Sequence, residues 1–158
     1  MRTNILTSSF LIMGLLLSSC DNSVKENGNK EEDFSVEIPF ITIAKNLNWG
    51  SGRDAKEIVI ETQEEWKNLE KPFYLDEVEI DFDIYQVIVV IDRARVHMGY
   101  LVVVNNIAAY PDRVIVTVNQ YTPKMWFTVG SRPYHIVKIP KLNGRFEFKY
   151  QHFYINTD

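Results

Sequence analysis

The segment that most limits what this chain can become is Val87-Ile88-Val89-Val90-Ile91. Five consecutive β-branched apolar residues put hydrophobic side chains on both faces of an extended segment, which predicts a strand covered on two sides. Tyr100-Leu101-Val102-Val103-Val104 repeats the pattern and predicts a second central strand. By contrast, Phe146, Phe148 and Tyr150 alternate with Glu147, Lys149 and Gln151, as in a strand with one wet face. Other strand segments are Ile38 to Ala44, Glu57 to Ile60, Val114 to Tyr121 and Tyr134 to Ile139. Ala109-Tyr110-Pro111-Asp112 is expected to close one hairpin, and Asn143-Gly144 to join the 134–139 strand to the 145–150 strand through a type I′ turn. One helix signal interrupts the strands. Thr62-Gln63-Glu64-Glu65 is a capping box, in which the Thr hydroxyl and the Glu carboxylate each satisfy an amide of the other. Trp66 and Leu69 would then face the sheet, and Pro72 would stop the helix after Lys71. These elements predict a mainly β domain: a single antiparallel β-sandwich or partly closed barrel of about seven strands with one short helix.

No disulfide can hold that domain together, because the 158-residue chain has a single cysteine, Cys20. Its position suggests another use. Arg2 precedes an apolar stretch from Ile5 to Leu17, and Leu17-Ser18-Ser19-Cys20 follows, the layout of a secretory signal ending in a bacterial lipobox. In such a signal the Cys20 thiol takes a diacylglyceryl group and becomes the new N-terminus, so residues 1–19 are expected to be removed. Thirteen apolar-leaning residues broken by Thr7, Ser8 and Ser9 are too few for a spanning helix. Acyl chains at Cys20 would instead anchor the protein to a membrane of the bacterial cell envelope, at the outer membrane or the cell surface. Asp21 to Asp33 hold one apolar side chain, Val24, and seven charges, so residues 20–33 read as a disordered tether. The folded domain is then 34–158. A formal net charge of −4, more negative still once Arg2 is lost, argues against nucleic acid as a partner.

No arrangement of residues amounts to a catalytic centre, and no cofactor is implied. His97, His135 and His152 are too scattered for a metal motif and read as surface or strand histidines. Asp76, Glu77, Glu79, Asp81 and Asp83 could supply oxygens to calcium, but Glu79, Asp81 and Asp83 alternate with Ile80, Phe82 and Ile84 as the polar face of an extended segment would. Gly50-Ser51-Gly52 lacks the spacing of a nucleophile elbow. Between Thr122 and Pro133, Met125, Trp126 and Phe127 form a contact surface if the segment is a loop, and core if it continues the Val114 strand. The 9 Phe, 8 Tyr and 3 Trp also leave room for a small-ligand cavity.

A family resemblance gathers several of these segments. The signal and lipobox, Ile58-Val59-Ile60-Glu61-Thr62 leading into Glu64-Glu65-Trp66, Ile80-Asp81-Phe82, His97-Met98-Gly99-Tyr100, and Arg132-Pro133-Tyr134-His135-Ile136-Val137-Lys138-Ile139-Pro140 together resemble the protease complex subunit PrcB family over most of residues 40–140. Met98 stands where that family usually has the first of two glycines. The resemblance implies a non-catalytic lipoprotein that binds and stabilises a secreted or surface protease. On that reading Gly99, Tyr100, Met125, Trp126, Phe127, Arg132, Pro133 and Tyr134 are the expected protein-binding residues. The Gly99-Tyr100 and Arg132-Pro133-Tyr134 turns also resemble the loops that chagasin-type inhibitors present to cysteine peptidases, which implies inhibition as an alternative function.

Overall fold

The computed structural model describes residues 34–46, 49, 52–70, 75–124 and 129–155. They form eight strands and one helix: β1 (Val36–Glu37), β2 (Ile41–Asn46), β3 (Lys56–Ile60), α1 (Gln63–Asn68), β4 (Tyr85–Ile91), β5 (Leu101–Ala109), β6 (Arg113–Pro123), β7 (Tyr134–Pro140) and β8 (Arg145–Ile155). Two four-stranded sheets result, ordered β1-β5-β6-β8 and β2-β7-β4-β3. The protein is therefore a β-sandwich, not a closed barrel.

Between the sheets lies one hydrophobic core. Ile88 and Val90 of β4 and Val137 and Ile139 of β7 meet Val102, Val104 and Ile107 of β5 and Val114, Val116 and Val118 of β6. A second core covers the opposite face of the β2-β7-β4-β3 sheet, where Val87, Val89, Ile91 and Ile136 meet Trp49, Trp66, Leu75 and Ile80. The unbroken apolar run of β4 follows from this: its alternate residues serve two different cores. β5 departs from the expectation of two covered faces. Val102 and Val104 are buried, but Val103 is half exposed and Asn105 exposed; among the described residues no helix covers the outer side of its sheet as α1 covers the other.

Helix α1 is short and depends on tertiary support. Glu65 N–H donates to Thr62 Oγ1 at 3.2 Å, and Glu65 Oε2 accepts from the amides of Thr62 and Glu61 at 3.1 and 2.9 Å. Trp66 is buried, its Nε1–H donating to the Val78 carbonyl at 3.3 Å. The helix ends at Asn68, before the predicted Lys71, as Leu69 turns extended and packs beside the core.

Two connections differ from the sequence-based expectation. The strand predicted at 38–44 begins later, at Ile41: Ile38-Pro39-Phe40 instead carries the chain from β1 in one sheet across to β2 in the other. More consequential is β8. It does not form a hairpin with β7, because β7 is already paired on one side with β2 and on the other with β4. The chain passes Asn143-Gly144 to the opposite sheet, and β8 pairs with β6 in parallel from Arg145↔Arg113 to Ile155↔Pro123. A sandwich expected to be wholly antiparallel thus has one parallel pair, joined by a crossover through β7. The hairpin of β5 and β6 does form, closed by Tyr110 N–H donating to the Arg113 carbonyl at 2.8 Å.

Candidate functional site

The alternation that sends Gln86, Ile88 and Val90 into the sandwich sends Asp92, one step past β4, to its end. Asp92 is only 3% exposed, and a carboxylate so placed must be compensated. Arg95 donates through Nε and Nη2 to Asp92 Oδ2 at 2.9 and 2.8 Å. The other oxygen accepts from the Arg93 amide at 2.8 Å and from Gln120 Nε2 of β6 at 3.2 Å. One carboxylate therefore ties the two sheets together. The Arg95 guanidinium also lies 4.6 Å from the centre of the Tyr100 ring.

Beside this network the sheets splay into a cleft of about 500 Å³, lined among others by Glu57, Asp92, Arg95, Tyr100, Gln120 and Tyr150. Across it the Tyr150 hydroxyl donates to Glu57 Oε1 at 2.5 Å, joining the edge strands β8 and β3. Burial, reinforced by that bond and by the Glu57 charge, holds the phenol well above its ordinary pKa, so it remains a donor. The cleft thus presents fixed donors and acceptors of both signs.

Two loops meet at the same end. Arg95 and Ser131 exchange backbone hydrogen bonds at 2.7 and 2.9 Å, Ser131 Oγ donates to the His97 carbonyl at 2.8 Å, and the Asp92 amide donates to the Pro133 carbonyl at 2.8 Å. Gly99 permits the turn into β5: its φ is +96°, and a Cβ there would stand 2.9 Å from Pro123 Cβ. The zipped loops leave Val96 and Val129 displayed, 77% and 56% exposed.

The expected binding residues divide accordingly. Gly99 and Tyr100 are half-buried at this end, and Tyr100 lines the cleft. Arg132, Pro133 and Tyr134 correct the sequence-based expectation, because they are buried. Arg132 donates through Nη2 to the Asp54 carbonyl at 2.8 Å and accepts at its own carbonyl from the Trp49 amide at 2.9 Å, while Tyr134 packs edge-on against Trp49 at 5.1 Å. These side chains support the loop and do not form its surface. Strand β6 continues through Thr122 to Pro123; Met125, Trp126 and Phe127 lie outside the described residues, as do Cys20 and the leader and tether around it.

Sequence reasoning missed Asp92, Arg95 and Gln120. The available signal was a carboxylate in phase with Ile88 and Val90, with an arginine three residues on. Of the two places expected for His135, surface or strand, the structure gives the strand: His135 lies in β7, buried, and bridges the sheets. Its Nδ1 accepts from the Val104 amide of β5 at 2.8 Å, and Nε2 lies 2.9 Å from Thr42 Oγ1. Desolvation, with a contribution from Lys45, lowers its pKa to about 4. Among the described residues no group of three or more His, Cys, Asp or Glu could hold a metal ion, and Asp81 Oδ1 instead accepts from the Asp83 amide at 3.0 Å. No family model, curated protein or solved structure matches the chain.

Proposed function

We propose that this chain is a non-catalytic binding protein of the bacterial envelope, anchored through Cys20, whose folded body contacts another protein with the loop end of the sandwich. The observation that carries the reading is the pair of zipped loops. Segments 95–100 and 129–133, distant in sequence, are held together by the Arg95–Ser131 bonds, and each leaves one valine, Val96 or Val129, exposed. Holding exposed apolar side chains on an ordered scaffold lowers the entropy lost when a partner covers them. The PrcB-like segments make a secreted or surface protease the first partner to test. The chagasin-like alternative loses support from the burial of Arg132 and Tyr134, which such an inhibitor would present.

The test is copurification from detergent-solubilised membranes. Val96→Asp with Val129→Asp should reduce partner recovery at least tenfold, given that burying an unpaired charge in an interface is costly. Recovery equal to wild type would remove this end from the interface. Mass spectrometry of the mature N-terminus decides the anchor, since an unmodified Cys20 contradicts it. A second reading rests on the cleft alone: its volume falls within the range of small-molecule sites, and its polar groups converge from both sheets. A thermal-shift screen of small polar compounds addresses it, with the Gln120→Leu variant as control.

A further inference from the structure

We infer that the free edge of β8 pairs antiparallel with β8 of a second copy of this chain, with Tyr150 on the two-fold axis. Exposed sheet edges are templates for further pairing unless they are short, bulged or covered. One sheet ends in the two-residue β1; the other ends in β2, which has a bulge between Thr42 and Ala44, and in the five-residue β3. β8 is neither short nor bulged. Its eleven residues pair with β6 in unbroken register, so the opposite edge is a straight run of about 36 Å with backbone groups available to a partner. Among the described residues no strand pairs with that edge.

The side chains select the occupant. Arg145, Glu147 and Lys149 occupy one face of the first half of β8, while Gln151-His152-Phe153-Tyr154-Ile155 carries no formal charge and exposes Tyr154 by 78% and Phe153 by 41%. Pairing two copies about Tyr150 lays the charged half of each against the uncharged half of the other. Lys149 then faces Gln151 of the second copy, Glu147 faces Phe153 and Arg145 faces Ile155. On the other face Phe146 meets Tyr154, Phe148 meets His152 and Tyr150 meets its own counterpart. Cross-strand aromatic pairs of this kind are favourable. Centring on Glu147 or Lys149 would oppose like charges, and centring on Phe148 would pair only residues 145–151 and leave Tyr154 uncovered. The inner aromatics also have surface to give: Phe146, Phe148 and Tyr150 are only half-buried.

Sedimentation equilibrium of the full-length chain in density-matched detergent tests the pairing. Gln151 is exposed, so its substitution leaves the core intact. A reversible dimer is expected; Gln151→Glu, facing Lys149 twice per dimer, should tighten it and Gln151→Lys should loosen it, each by roughly tenfold. Adding Lys149→Glu to Gln151→Lys should restore association, because the opposed pairs are then Glu and Lys. A monomer at every concentration, or a dimer indifferent to both single changes, overturns the proposal. A dimer that the double variant does not restore overturns the Tyr150-centred register.

Discussion

Lowering the pH from 7.5 to 4 should cost this protein about 3 kcal/mol through His135 alone. Nδ1 of that residue accepts from the Val104 amide, which requires it to be unprotonated in the folded state. The folded pKa of about 4 compares with 6.5 for the free side chain, and at about 1.4 kcal/mol per unit the difference gives that magnitude. The sign follows from proton uptake. Between these two values the unfolded chain binds the proton and the folded chain does not, so the contribution is complete above about pH 6.5. It is lost as the pH falls toward 4. Below that both states are protonated and the loss stops growing. Chemical denaturation across this range should be run on wild type and His135→Asn, whose amide oxygen can replace the Nδ1 acceptor but does not titrate. Near neutrality the variant should be less stable by about 1–2 kcal/mol, having lost the contact to Thr42. On acidification the gap should close and then reverse. The Glu65 carboxyl, held below its ordinary pKa chiefly by the Glu61 amide, weakens both proteins alike and cancels from the comparison. Stability curves that remain parallel from pH 7.5 to 4 would refute the bridge as the cause.

Asp92→Ala should lower stability by about 3 kcal/mol, since it leaves the Arg95 guanidinium mostly buried without its carboxylate, and the loss is measurable as a shift in urea midpoint. Gly99→Ala should cost about 1–2 kcal/mol, because its φ is left-handed and its Cβ would crowd Pro123, a loss that a shift in urea midpoint measures. Tyr150 should resist ionisation in a spectrophotometric titration and remain protonated after the exposed tyrosines have ionised. Its raised pKa contributes stability that is present below about pH 10 and lost as the pH rises further, a loss that Tyr150→Phe should abolish.

Legibility of the fold varied with the range of the interaction responsible. Alternation in β8, the double-faced run in β4 and the capping box at Thr62–Glu65 are consequences of neighbouring residues, and each was readable from them. The pairing of β8 was not. Asn143-Gly144 suits a tight turn, yet β7 offered no free edge, and that fact depends on β2 and β4, which lie far off in the chain. The candidate site follows the same rule. Gly99 and Tyr100 stood out through a short contiguous motif of the family resemblance, whereas Asp92 and Gln120 are 28 residues apart and come together only through the meeting of the sheets.

Arg132 and Tyr134 show the division most plainly. The residues Arg-Pro-Tyr before an apolar strand suggest a turn, but Ser131 is bridged to Arg95 and Tyr134 already opens β7. Whether their side chains point to solvent or inward depends on Trp49, which approaches from the other end of the chain and covers Tyr134. By itself the sequence determined which segments extend, where the one helix begins and that the core would be β-branched. Tertiary structure alone decided which edges pair, which of the two cores each apolar face enters and which polar groups share the cleft. Periodicity carries the direction of a side chain relative to its own backbone, but not the identity of what it will meet.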